Sequence, residues 1–102
     1  MSEYTRKYPY EKTMVLNTIY DAVDTIDFLI DRANSMRGTL ITSSVSFPQI
    51  GGRVAISPEL SKDVTVVEVF PFTDDECQLE WIAAFFDEMQ SLMKRAGLEG
   101  IK

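Results

Sequence analysis

The sequence predicts an α+β domain: an antiparallel sheet of four to five strands packed with two helices, in the order β-α-β-β-β-β-α. Three observations predict it. The C-terminal third carries one sharply marked amphipathic helix, the middle third alternates β-branched residues between short turn-rich loops, and residues from Leu16 to Ile26 follow a helical period. A chain of 102 residues fits one domain and one core without a disulfide or metal staple. Residues 1–10 and 98–102 are expected as loosely ordered ends.

Residues 5–8, ahead of Pro9, read as a short first strand. Leu16, Ile19, Tyr20, Val23 and Ile26 then share a helix face, and Ile30 and Ala33 would extend it. Two readings stay open. In one, an unbroken helix runs to about Ser35, giving α-β-β-β-α. In the other, the helix stops near Thr25 and residues 27–33 form a strand. Periodicity favours the long helix; length favours the break, because a helix of about 25 residues is rare in so small a domain. The break is the reading adopted.

Residues 39–45 follow Gly38, residues 53–57 follow Gly51-Gly52, and residues 64–70 precede Pro71; all three stretches are rich in Val, Ile or Thr. Short loops between consecutive strands give an antiparallel meander. The last of these strands is apolar on both faces, with Val64, Val66 and Phe70 on one and Val67 and Val69 on the other. It is therefore expected to be covered on both sides.

The final helix has a start, a face and a stop. Thr73-Asp74-Asp75-Glu76 reads as a capping box, with Phe72 and Cys77 at staple positions. Leu79, Ile82, Phe86, Met89 and Met93 follow the helical period, and Gly97 with Leu98 suits a Schellman stop. Trp81, Phe85 and Leu92 form a second apolar stripe. A helix on the edge of a small core needs only about a 100° stripe, so this one is predicted to be buried against more than one surface.

Function is bounded mainly by exclusion. The chain has no histidine and one cysteine, which removes Ser-His-Asp and Cys-His catalysis and His- or thiolate-ligated metal sites. No catalytic motif, cofactor or metal site is predicted. Net charge is −6, with acidic N-terminal and C-terminal helices and a neutral middle, so no basic patch is written for nucleic acid or an anionic membrane. No apolar run is long enough to span a bilayer, and no signal peptide is legible after Met1. A lone cysteine and no leader suggest the cytoplasm.

Several constellations invite chemistry and have plainer readings. Asp21, Asp24, Asp27 and Asp31 would line one face of an unbroken helix as a carboxylate stripe able to hold a hard cation; a solvated face is the preferred reading. Cys77 near a helix start would have an activated thiol, but Asp74, Asp75 and Glu76 oppose the thiolate, and a buried staple residue is expected. Gly51-Gly52-Arg53 reads as a hairpin turn rather than an anion nest. Tyr4, Tyr8, Tyr10 and Tyr20 offer aromatic platforms or edge-strand packing.

The order of elements, with Tyr8-Pro9-Tyr10, Gly38-Thr39-Leu40-Ile41, Gly52-Arg53-Val54 and Thr65-Val66-Val67, resembles a loose class of small bacterial domains of unassigned function. Its topology is similar to one repeat of the TATA-binding-protein fold and more distantly to the helix-grip fold. These motifs are structural glycines and alternating valines, so the resemblance implies a shape and carries no chemistry.

Two functions follow as expectations. One is a non-enzymatic interaction module that self-associates as a homodimer. The other is a binding domain for a small apolar ligand, its pocket lying between sheet and C-terminal helix. The candidate interface residues are those of the second stripe of the final helix, Trp81, Phe85 and Leu92; the candidate pocket is lined by Trp81, Phe85, Val66 and Phe70.

Overall fold

A computed structural model describes residues 4–34, 36–58 and 64–95. Its elements are β1 (Thr5–Tyr8), α1 (Lys12–Thr25), β2 (Phe28–Asn34), β3 (Thr39–Ser44), β4 (Gly51–Pro58), β5 (Thr65–Pro71) and α2 (Glu76–Arg95). The predicted α+β class and its β-α-β-β-β-β-α order are borne out. The five strands form one antiparallel sheet, β1-β5-β4-β3-β2. Strands β2 to β5 are a meander, while β1 pairs with β5 at the far edge. Helix α1 therefore carries the chain from one edge of the sheet to the other.

The break after Thr25 is real, and its chemistry explains why it was hard to read. Asp27 takes a left-handed conformation (φ 67°), which ends the helix without a glycine. Its amide donates to the Asp24 carbonyl at 3.1 Å, and its own carbonyl accepts from Val45 N–H at 3.1 Å. The next residue, Phe28, begins β2. Within the predicted loose N-terminal end, Thr5–Tyr8 is a paired strand. Residues 98–102, and the predicted stop at Gly97 and Leu98, lie outside the described residues.

Alternation along each strand defines two faces. Leu40, Val54, Ile56, Val67 and Val69 point to the inner face and are buried. Val15, Ile19, Ala22 and Val23 of α1, with Trp81, Ile82, Phe85, Phe86, Met89 and Met93 of α2, join them in one core. Burying an aliphatic or aromatic side chain of this size contributes roughly 1.5–3 kcal/mol, so this layer dominates stability. Apart from Leu79, both stripes of α2 pack in or against that core, because the helix lies against α1 and sets Trp81 on Phe28 of β2.

The start of α2 departs from the expected capping box. The helix begins at Glu76, and the Asp75 carbonyl accepts the first helical bond, from Gln78 N–H at 3.0 Å. Thr73 Oγ1 accepts from the Asp75 amide at 3.5 Å rather than from Glu76, and from the Gln78 side-chain amide at 3.1 Å. Gln78 is 2 % exposed, and its polar atoms are all engaged. Its Oε1 accepts from Gly51 N–H at 3.2 Å and from Trp81 Nε1–H at 2.6 Å, while Nε2 also donates to the Gln49 carbonyl at 3.3 Å. One buried amide thus ties the β3–β4 loop to the first turn of α2.

The open sheet face as a candidate functional site

The five nominated residues do not share a site. Phe85 is fully enclosed in the core, and Trp81, 5 % exposed, stacks on Phe28 at 5.1 Å between centroids. Leu92 is half-buried against the core. Val66 and Phe70 lie on the opposite, outer face of the sheet. A pocket lined by Val66 and Phe70 together with Trp81 and Phe85 therefore does not form. The reason is register: β5 is apolar on both sides, and its pairing with β4 sets Val67 and Val69 inward beside Ile56 and Val54. A shift of one residue would reverse every assignment.

Nor is β5 covered on both sides. Its outer residues Val66 and Glu68 are half-buried and Phe70 is 39 % exposed. Among the described residues, both helices pack on the inner face only. The outer face is built in rows set by the strand registers. Arg32, Ile41, Arg53 and Phe70 lie opposite one another across β2, β3, β4 and β5. The neighbouring row holds Asn34, Thr39, Ala55, Glu68 and Thr5. Beyond the first row, Leu29 is 55 % exposed opposite Ser43.

A β-bulge shapes the β2 edge. The register shifts between Ile30 and Arg32, so Asp31 is an extra residue, and its carboxylate accepts from Ser43 Oγ at 2.8 Å. The bulge and its flanking charges discourage another strand from adding to this edge. The Arg53 guanidinium sits 4.5 Å from the Phe70 ring centroid, which orients the arginine and shields one side of the ring. Among the described residues, Arg32, Arg53 and Glu68 make no ion pair. The face thus presents aliphatic and aromatic surface with unneutralised charge of both signs.

Two concavities lie elsewhere. A groove of about 460 Å³ runs between β1 and α2, lined by Arg6, Tyr8, Tyr10, Phe86, Asp87 and Met93 among others. Arg6 reaches across it, 4.8 Å from the Phe86 ring centroid. Burial pushes the Tyr8 phenol up from 10.0 to about 12, with Arg6 pulling weakly the other way. A second depression, of about 350 Å³, lies between the β3–β4 loop and α2 and reaches the edge of Trp81.

The remaining candidates resolve simply. With the helix ended at Thr25, the Asp21, Asp24, Asp27 and Asp31 stripe does not exist. Among the described residues, no three His, Cys, Asp or Glu side chains are grouped to hold a metal ion. Cys77 is exposed, contrary to the buried staple expected, because the helix start two residues later turns it outward. The Gly51 amide is taken by Gln78, so the glycine pair is part of a hairpin and not an anion nest. Tyr4, Tyr8, Tyr10 and Tyr20 pack partly buried against the core. No described helix is long and apolar enough to cross a membrane. Compared with known proteins, the chain matches no family model and no curated protein.

Gln78 is the structural residue that the sequence reading missed. It had a signal: Gln78, Ile82, Phe85 and Met89 share helical spacing, so a polar residue stood on the apolar stripe. The cross-strand row of Arg32, Ile41, Arg53 and Phe70 had none, since it depends on three registers and a bulge.

Proposed function

We propose that this domain is a non-enzymatic interaction module that self-associates through the open face of its sheet. One observation carries the reading: Leu29 and Phe70 stay exposed, and Ile41 and Val66 half-exposed, on a face that neither helix covers. The apolar surplus of α2, which first suggested an interface, belongs to the core; the unpartnered apolar surface is on the sheet. Arg32 and Arg53 on one copy can meet Glu68 and Asp31 on the other, so the face is complementary to itself in charge.

The size of the face sets the strength. Five strands at about 4.8 Å spacing, each about six residues or roughly 20 Å long, give a projected area on the order of 500 Å². Specific interfaces bury about 800 Å² per partner. The dimer is accordingly weak, micromolar or above. The same mixed charges give no continuous basic track for nucleic acid, and the reading assigns neither a nucleic-acid nor a membrane partner. An exposed, unbridged Cys77 suits a reducing compartment such as the cytoplasm.

Size-exclusion chromatography with light scattering tests this. At high micromolar concentration the mass should rise above the 11.6 kDa monomer, and Phe70→Glu should return it to the monomer with the fold unchanged. A monomer throughout would sink the reading. The β1–α2 groove supports a second reading, an apolar-ligand site lined by Tyr8, Tyr10, Phe86 and Met93. There, a fluorescent apolar probe should bind the native protein and be displaced by a fatty acid; failure to bind would remove it.

A further inference from the structure

We propose that the groove between β1 and α2 takes an alkyl monocarboxylate, its head accepting a hydrogen bond from the Tyr8 hydroxyl and its chain lying along Tyr10, Ala83 and Phe86. The inference names the ligand class for the groove reading above and rests on that reading; it is independent of self-association. The groove, about 460 Å³, has room for a chain of medium length. Its apolar walls are the half-buried Tyr8 and Tyr10 rings, the exposed Ala83 and the remaining open edges of Phe86 and Met93.

The Tyr8 hydroxyl is the group that calls for a ligand head. Among the described residues it has no hydrogen-bond partner, although its ring is half-buried. Nor is the oxygen sealed, because no sealed side-chain polar atom of the described residues lacks a partner. It opens where the ring lines the groove. The backbone beneath it is fixed. Tyr8 pairs with Thr65 of β5, and Thr65 Oγ1 donates to the Tyr10 carbonyl at 2.7 Å, so the chain is pinned on both sides of Pro9. Burial keeps the phenol protonated through the neutral range, so it meets a ligand as a donor.

Arg6 sets the charge of the head. It stands two residues from Tyr8 on the same face of β1, held by a bond from its Nη1 to the Thr5 carbonyl at 2.9 Å and by the Phe86 ring at 4.8 Å. Its positive charge is felt at the Tyr8 hydroxyl, where it favours an anionic acceptor. A pure hydrocarbon would leave the hydroxyl without a partner inside the groove. A cationic head would meet Arg6. Asp87, on the α2 wall, opposes a second negative charge and so limits the head to one carboxylate.

The probes are decanoate and its neutral counterpart 1-decanol, titrated into ¹⁵N-labelled protein with the amides of Tyr8, Ala83 and Phe86 as the readout. Decanoate should bind saturably and about tenfold more tightly than the alcohol, as a charge-assisted hydrogen bond in a partly desolvated groove provides. Tyr8→Phe keeps the ring and removes only the oxygen. It should weaken decanoate by about five- to tenfold while changing 1-decanol by no more than about twofold. Because the hydroxyl has no partner among the described residues, the variant should stay folded, which its spectrum checks. Equal affinity for the two probes, or a preference that survives in Tyr8→Phe, would overturn the head assignment while the groove reading stands. Binding of neither probe would remove the groove reading and this inference together.

Discussion

The inner and outer faces of this sheet are written by the same strands on alternate residues, yet they obey different rules. On the inner face, Val54, Ile56, Val67 and Val69 are sealed beneath two helices. One residue away along the same strands, Arg53, Ala55, Val66, Glu68 and Phe70 form a surface on which, among the described residues, no helix packs. The inner face is selected by volume and apolarity. The outer face mixes aromatic, aliphatic and charged side chains, a composition that a core would not tolerate and that plain solvation does not require. The first face holds the domain together; the second is the one proposed to meet another copy.

Substitutions on the two faces should therefore separate stability from association. The largest effect belongs to the inner side. Phe85→Ala empties a fully enclosed site and should cost about 3–5 kcal/mol in denaturant unfolding. Gln78→Ala should follow at about 2–3 kcal/mol, because it strands the buried Gly51 and Trp81 N–H donors. The same variant should alter Trp81 fluorescence. On the outer side, Phe70→Glu should change unfolding by no more than about 1 kcal/mol while abolishing association. A large loss of stability at Phe70 would mean the two faces are not distinct.

A smaller effect comes from pH. The Tyr8 phenol is held protonated in the folded state, its pKa raised from 10.0 to about 12 mainly by burial. The unfolded chain releases this proton near pH 10 and the folded one only near pH 12. The stability this supplies is present in full below pH 10 and is lost as pH rises toward 12. Tyr8→Phe should flatten that part of the unfolding profile, as measured by denaturation at a series of alkaline pH values.

The same contrast explains what the sequence could disclose. The element order was legible because Gly38, Gly51-Gly52 and Pro71 punctuate the strands and because two apolar stripes follow helical periods. The end of α1 was only half legible, since Asp27 does there what a glycine usually announces. The start of α2 was read at Thr73, but that hydroxyl accepts the Asp75 amide only at 3.5 Å and shares its oxygen with the Gln78 side chain, and the helix begins at Glu76. Face assignment was the real obstacle. A strand with Val66 and Phe70 on one side and Val67 and Val69 on the other gives no internal clue to which side is buried. Pairing with Val54 and Ile56 decides it, and that is a property of register between strands. The nominated residues accordingly split, with Trp81 and Phe85 inside and Val66 and Phe70 outside.

The most direct test of the open-face account is a set of ¹H–¹⁵N spectra recorded from low micromolar to millimolar protein. Concentration-dependent shifts should cluster at Leu29, Ile41, Arg53, Val66, Glu68 and Phe70 and leave the α2 amides unmoved. Shifts confined to α2, or spectra that do not change with concentration, would contradict it.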